Sequence, residues 1–164
     1  MRYYFEEEMR LVYNEGTIYE EDTGAIAYTF KNQKMMVSEV HLYTEHGLDL
    51  GYVKSIPAFL HHRFEIWYKG EFVDQIDSKN HWTFHELLFE ELGWRIEGNF
   101  SSKQFRIHDE NGFILCDMEK DSGHFSKHYH IGIYDDRDTE LLLLIVLCIY
   151  TYCRENEAAA AAAA

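Results

Sequence analysis

Two hydrophobic patterns divide this chain. Through most of its length, short runs alternate apolar and polar side chains with a period of two. Phe64, Ile66 and Tyr68 fall on one parity, with Arg63, Glu65 and Trp67 on the other. Trp94, Ile96 and Phe100 alternate with Arg95, Glu97 and Asn99; Tyr129, Ile131 and Ile133 alternate with His128, His130 and Tyr134. A period of two places successive side chains on opposite faces of a strand, so these runs predict a sheet with one apolar face and one wet face. From Leu141 to Tyr150 the alternation is gone and no residue is charged.

The strand-like runs are joined by polar turns that end in glycine. Thr17-Ile18-Tyr19 leads through Glu21-Asp22-Thr23-Gly24 to Ala25–Phe30, and His41-Leu42-Tyr43 leads through Glu45-His46-Gly47 to Leu48–Val53. Phe64–Tyr68 turns at Lys69-Gly70, and Phe105-Arg106-Ile107 turns at Asp109-Glu110-Asn111-Gly112. Glycine supplies the positive φ such turns require. Gly24, Gly47, Gly70 and Gly93 recur every 23 residues, and Gly112 follows after 19. Each glycine marks a hairpin, giving about ten strands. Met1–Val12 and His128–Asp135 add one at each end, for an expected twelve antiparallel strands.

The segment Thr139–Cys153 is predicted as a helix of about 14 residues, about 21 Å long. Asp136, Asp138 and Glu140 precede or open it, where carboxylates satisfy free N–H groups, and Arg154 follows its last turn. A surface helix would carry an apolar stripe; this one is apolar all round and must be buried all round. A membrane span needs about 20 apolar residues, whereas this run meets Arg154 and Glu155 after about 13. A barrel of about eight strands fills itself with side chains, and one of about twelve leaves a hole about as wide as a helix. The fold class expected is therefore mainly β: a closed antiparallel barrel of about twelve strands around a buried C-terminal helix.

At 164 residues the chain reads as one domain, residues 1–157, with Ala158–Ala164 as a polyalanine tail that is not evolved structure. Tyrosine (12) and phenylalanine (11) are abundant, as in strand-rich proteins, and Pro57 is the one proline. A formal charge of −14 opposes nucleic acid and anionic lipid. Cys116, Cys148 and Cys153 form no C-x-x-C pair, and Met1–Phe5 runs directly into Glu6-Glu7-Glu8 with no secretory apolar core. Both features point to a reducing, cytoplasmic setting.

The stretches Met1–Phe5, Thr17–Asp22, Gly93–Phe100 and Phe105–Asp109, with the acidic lead into the terminal apolar helix, resemble the LURP-one-related family. That family includes YxjI-like proteins and shares the tubby C-terminal-like fold. The resemblance spans nearly all of residues 1–154. It implies a barrel of about twelve strands around a central helix, and no catalytic residues to carry over. Tubby-like relatives bind phosphoinositides, which implies a search for clustered bases. Lys31 with Lys34, and Lys103 with Arg106, are the nearest candidates; both pairs also read as solvated strand or loop residues.

Among ten histidines, His128 and His130 share a strand face, and His124 precedes them in a turn. These three are the candidates for chelating a metal, but no carboxylate or cysteine completes a recognisable set, so a polar strand face is the simpler reading. Asp135, Asp136 and Asp138 suit a helix cap. No G-x-S-x-G, glycine-rich phosphate loop or Cys–His pairing appears. The expectation is a non-catalytic binding module with no cofactor, taking a lipid headgroup (phosphoinositide included) or a protein. The alternative is a structural or regulatory interaction protein that self-associates through aromatic strand faces such as Trp67 and Val73.

Overall fold

The structure, a computed structural model, describes residues 1–9, 14–34, 37–58, 61–77, 86–99, 102–122 and 128–163. It contains twelve strands. In chain order they are β1 (Arg2–Met9), β2 (Asn14–Glu20), β3 (Ile26–Lys34), β4 (Ser38–Thr44), β5 (Asp49–Ala58) and β6 (His61–Tyr68). Then follow β7 (Glu71–Asp77), β8 (Glu86–Phe89), β9 (Trp94–Asn99), β10 (Gln104–His108), β11 (Ile114–Lys120) and β12 (His128–Ile133). A 3-10 turn at Asp136–Asp138 leads into α1 (Thr139–Ala163), which passes through the expected domain boundary at residue 157.

All twelve strands belong to one antiparallel sheet in the order β7-β6-β5-β4-β3-β2-β1-β12-β11-β10-β9-β8. Because β1 pairs with β12, the sheet curls and brings β7 and β8 side by side. The barrel is nearly closed rather than closed: no ladder joins β7 to β8 among the described residues. One buried side chain spans that seam. Asp74 on β7 accepts the Gln75 N–H through Oδ1 at 2.7 Å and the Leu92 N–H, from the β8–β9 turn, through Oδ2 at 3.0 Å.

The lumen is filled by α1. Every residue from Leu141 to Cys153 is buried, and Leu142 through Val146 expose no surface at all. The inward parity of the strands meets it: Phe5, Ile18, Leu42, Ile66, Ile96 and Ile107 are fully or almost fully buried. Among the described residues no helix is long and apolar enough to cross a membrane. Cys116, Cys148 and Cys153 are buried and not disulfide-bonded, and desolvation pushes the Cys116 and Cys148 thiols far up.

The glycine interval has a structural consequence beyond turn formation. Gly24, Gly47, Gly70, Gly93 and Gly112 all adopt positive φ at turns on one end of the barrel. At Lys69-Gly70 both residues do so (φ 51° and 85°), as a type I′ turn requires. Three residues after four of these glycines the register slips by one, leaving Ala27, Leu50, Val73 and Leu115 without a cross-strand partner. A bulge reverses parity for one residue. Leu50 and Leu115 are buried, and Ala27 and Val73 pack against the core. The bulges thus add apolar side chains around the point where α1 enters. They also correct the expectation for Val73, which the slip turns from the outer face; Phe72 takes the place beside Trp67, ring centroids 5.7 Å apart.

Gly51 leaves no room for a side chain between wall and helix. A Cβ there would overlap the Trp67 carbonyl oxygen and lie 3.0 Å from Leu144 Cδ1. Gly51→Ala is therefore expected to destabilise the fold by about 1–3 kcal/mol through overpacking, measured by urea denaturation. Asp74→Ala leaves the Leu92 N–H without its acceptor, at a cost of about 1–3 kcal/mol. An unchanged urea midpoint for Asp74→Ala would mean that the seam does not depend on this carboxylate.

Candidate functional site

The glycine-turn end of the barrel is open. The chain start, the β2–β3 turn, the β4–β5 turn and the first turn of α1 surround a depression of about 570 Å³. Its apolar lining comes from Met1, Tyr3, Ala25, Ala27, Tyr28 and their neighbours Ile26 and Leu48; its polar lining includes Glu20, Glu45, His46 and Glu140. That size is ordinary for a ligand site, which is mostly apolar with a few convergent polar groups.

The polar groups at its base are held in place by the entry of the helix. Asp135 accepts the Arg137 backbone N–H at 3.2 Å and its guanidinium Nε–H at 2.9 Å, and Arg137 in turn holds the Asp135 carboxyl down to about 2. This pair fixes the 3-10 turn that delivers Glu140 to the mouth. The Tyr68 hydroxyl donates to Glu140 Oε2 at 2.6 Å, and Lys69 Nζ lies 3.4 Å from the same oxygen. Tyr3 donates to Met1 Sδ at 3.1 Å, and its ring meets Tyr28 edge-on at 6.0 Å. Burial, reinforced by Tyr3, Glu140 and Tyr68, pushes the Tyr28 hydroxyl up to about 12. The mouth is a largely apolar cup with two tyrosines and three carboxylates, Glu20, Glu45 and Glu140, in its wall.

The sites proposed from sequence are distributed differently. His128 and His130 do share the outer face of β12, as the strand periodicity predicts. Each faces a carboxylate: His128 Nε2 is 3.4 Å from Glu6 Oε1, and His130 Nδ1 is 3.4 Å from Glu21 Oε1. His124 lies outside the described residues. Among the described residues, no three His, Cys, Asp or Glu side chains converge on one point.

The three bases whose side chains are described, Lys31, Lys103 and Arg106, do not form one patch. Lys31 is exposed on β3 opposite Glu15 and His41, while the Lys34 side chain lies outside the described residues. Arg106 is exposed on β10 with Glu97 and Asp117 as its cross-strand neighbours. Lys103 departs from the solvated position expected of it: it adopts φ 55° and is buried. Its ammonium donates to the Tyr129 hydroxyl at 3.3 Å and lies 5.7 and 5.6 Å from the centroids of Tyr129 and Tyr150. A cation over aromatic faces is attracted by their quadrupole, which favours the inward placement.

Two features were not read from sequence. The mouth gathers segments distant along the chain, though one signal was present: a large apolar residue directly follows a turn glycine in Gly47-Leu48 and Gly112-Phe113. The other is an aromatic ladder on the outer sheet, with Tyr52 stacked between His41 (4.9 Å) and Trp67 (6.0 Å).

The Tyr28 hydroxyl gives a pH test of the mouth. The unfolded chain releases this proton near 10 and the folded chain near 12. The associated stability is complete below pH 10 and is lost as pH rises through 12. The urea midpoint of the native chain is expected to fall across this window more steeply than that of Tyr28→Phe; equal slopes would place Tyr28 in a solvated setting.

A family model described as LURP-one-related matches residues 1–150. Comparison with curated proteins and with solved structures gives no match.

Proposed function

The chain belongs to the LURP-one-related family, and from that premise we propose that it is a non-catalytic binding module whose ligand seats in the open end of the barrel. The observation that carries this reading is the apolar cup of about 570 Å³ where α1 enters a lumen it otherwise fills. Among the described residues, Leu141–Cys153 of the helix are buried within the barrel, which moves binding to the rim. The non-catalytic part rests on the titratable groups. Cys116 and Cys148 are buried and held protonated, and the Tyr28 hydroxyl is raised first of all by burial. Cysteines without a disulfide suit a reducing, cytoplasmic setting.

Between the two ligand classes, charge favours a protein over a phosphoinositide. The body carries −14, Lys103 is turned inward, and Arg106 has acidic neighbours on both sides. A phosphoinositide headgroup needs several exposed bases together. The second reading is a structural or regulatory protein that self-associates; the outer ladder of His41, Tyr52, Trp67 and Phe72 supports it, since such rings are common interface anchors.

A neutral solvatochromic dye, Nile red, tests the open-end reading. The native chain is expected to enhance its fluorescence. Ala25→Trp, an exposed change in the lining, is expected to weaken binding about tenfold by filling the cup. Enhancement indifferent to Ala25→Trp would contradict the assignment. In flotation with phosphoinositide vesicles, at low and at physiological salt, the chain is expected to stay in the bottom fraction.

A further inference from the structure

We propose that the occupant of the open end is a basic amphipathic segment of a partner protein, its apolar residues meeting the lips of the cup and its Lys and Arg residues meeting the surrounding carboxylates. This inference rests on the open-end reading and names the ligand class for it.

The apolar half of the argument is the placement of exposed side chains. Among the described residues, the most exposed large hydrophobics are Phe113 (70%), Leu48 (65%), Met1 (64%) and Tyr134 (58%). They come from the β10–β11 turn, the β4–β5 turn, the chain start and the residue after β12. All four elements end on the same side of the barrel, and Ile26 joins them from the start of β3. Scattered exposed hydrophobics are normal on a protein surface. A group gathered at one end, around a cup, marks an interaction surface.

The charged half is the composition of the same turns. Asp22, Glu45, Glu110 and Asp136 are exposed there. Two bases nearby are already engaged: Lys69 lies against Glu140, and Arg137 forks onto Asp135. The rim therefore presents hydrophobic tips set among carboxylates. Its complement is a surface with apolar anchors and positive flanks, which is the pattern of a basic amphipathic helix. An acidic segment or an anionic bilayer would meet like charge over the whole contact. A zwitterionic bilayer would meet the apolar tips but give the carboxylates no partner, so their desolvation would oppose insertion.

The test uses labelled peptides of about 18 residues, long enough to form a helix, with leucine at helical spacing and lysine, glutamate or glutamine elsewhere. Binding to the full chain is read by fluorescence anisotropy at low and physiological salt. The leucine–lysine peptide is expected to bind. Its affinity is expected to fall about tenfold with Leu48→Ser, as for an interface anchor, and to fall with Glu20→Gln and Glu45→Gln combined. Phe72→Ser, on the outer face, is expected to leave it unchanged. All of these substitutions except Glu20 are at exposed positions, and thermal melts confirm folding.

If the leucine–glutamate or leucine–glutamine peptide binds as tightly, the basic class is wrong while the open-end site stands. If the leucine–lysine peptide binds but ignores Leu48→Ser and the paired glutamine changes, the attraction is general to an acidic body and the inference is overturned. Flotation of the chain with phosphatidylcholine vesicles, abolished by Leu48→Ser, would replace the peptide with a membrane and overturn it equally. If Nile red binds the cup and the leucine–lysine peptide does not bind, only the peptide class fails; if neither binds, both readings fail.

Discussion

A helix with no polar face has to be enclosed, and enclosure of α1 is the constraint on which the rest of this molecule depends. Residues Leu141–Tyr150 are large or apolar on every side, and each is buried. Burying one such side chain stabilises by about 1.5–3 kcal/mol, so leaving even part of the rod in water would be costly. A sheet of twelve strands has the circumference to surround it. The wall and its filling are therefore mutually dependent: without α1 the sheet would enclose an apolar void, and without the sheet α1 would have no solvent-compatible surface.

This mutual dependence decides where polar chemistry can sit. Inside, a polar group must bring its partner with it. Asp74 does so with backbone N–H groups across the β7–β8 seam, Lys103 with Tyr129 and two aromatic rings, and Asn32 by accepting the Ser38 hydroxyl at 3.0 Å. The Asp74 and Asn32 contacts tie the wall to itself, and Lys103 ties it to the rod through Tyr150. At the mouth the bulged Ala27 joins the lining, Tyr3, Tyr28 and Glu140 meet an open space, and Tyr68 holds Glu140 by a hydrogen bond. Recognition at the mouth and stability in the lumen are thus two ends of one packing arrangement.

Much of this was legible in the residues. The turn glycines are informative because positive φ is a local steric requirement that few other residues meet, and the regular interval then counts the strands. The all-apolar helix is informative because solvent exclusion admits few arrangements. The outer-face pairing of His128 and His130 follows from strand parity alone. Register is where the reading stops. A bulge at Val73 turns it inward and puts Phe72 beside Trp67, and nothing in the local alternation announces a one-residue slip. Lys103 is turned inward by a left-handed backbone at φ 55° and by rings from β12 and α1, far away in sequence. The cup at the mouth likewise exists only once four separate segments have been brought to one end of the barrel.

Native-state hydrogen exchange of the α1 amides tests the central claim most directly. If the helix is enclosed on all sides, the amides of residues 145–150 can exchange only when the wall opens. Their opening free energy should then equal the global unfolding free energy and fall with urea at the same slope. Exchange of these amides through a smaller opening, with weak urea dependence and while β1, β2 and β12 stay protected, would show that the rod leaves the barrel independently and would contradict the account.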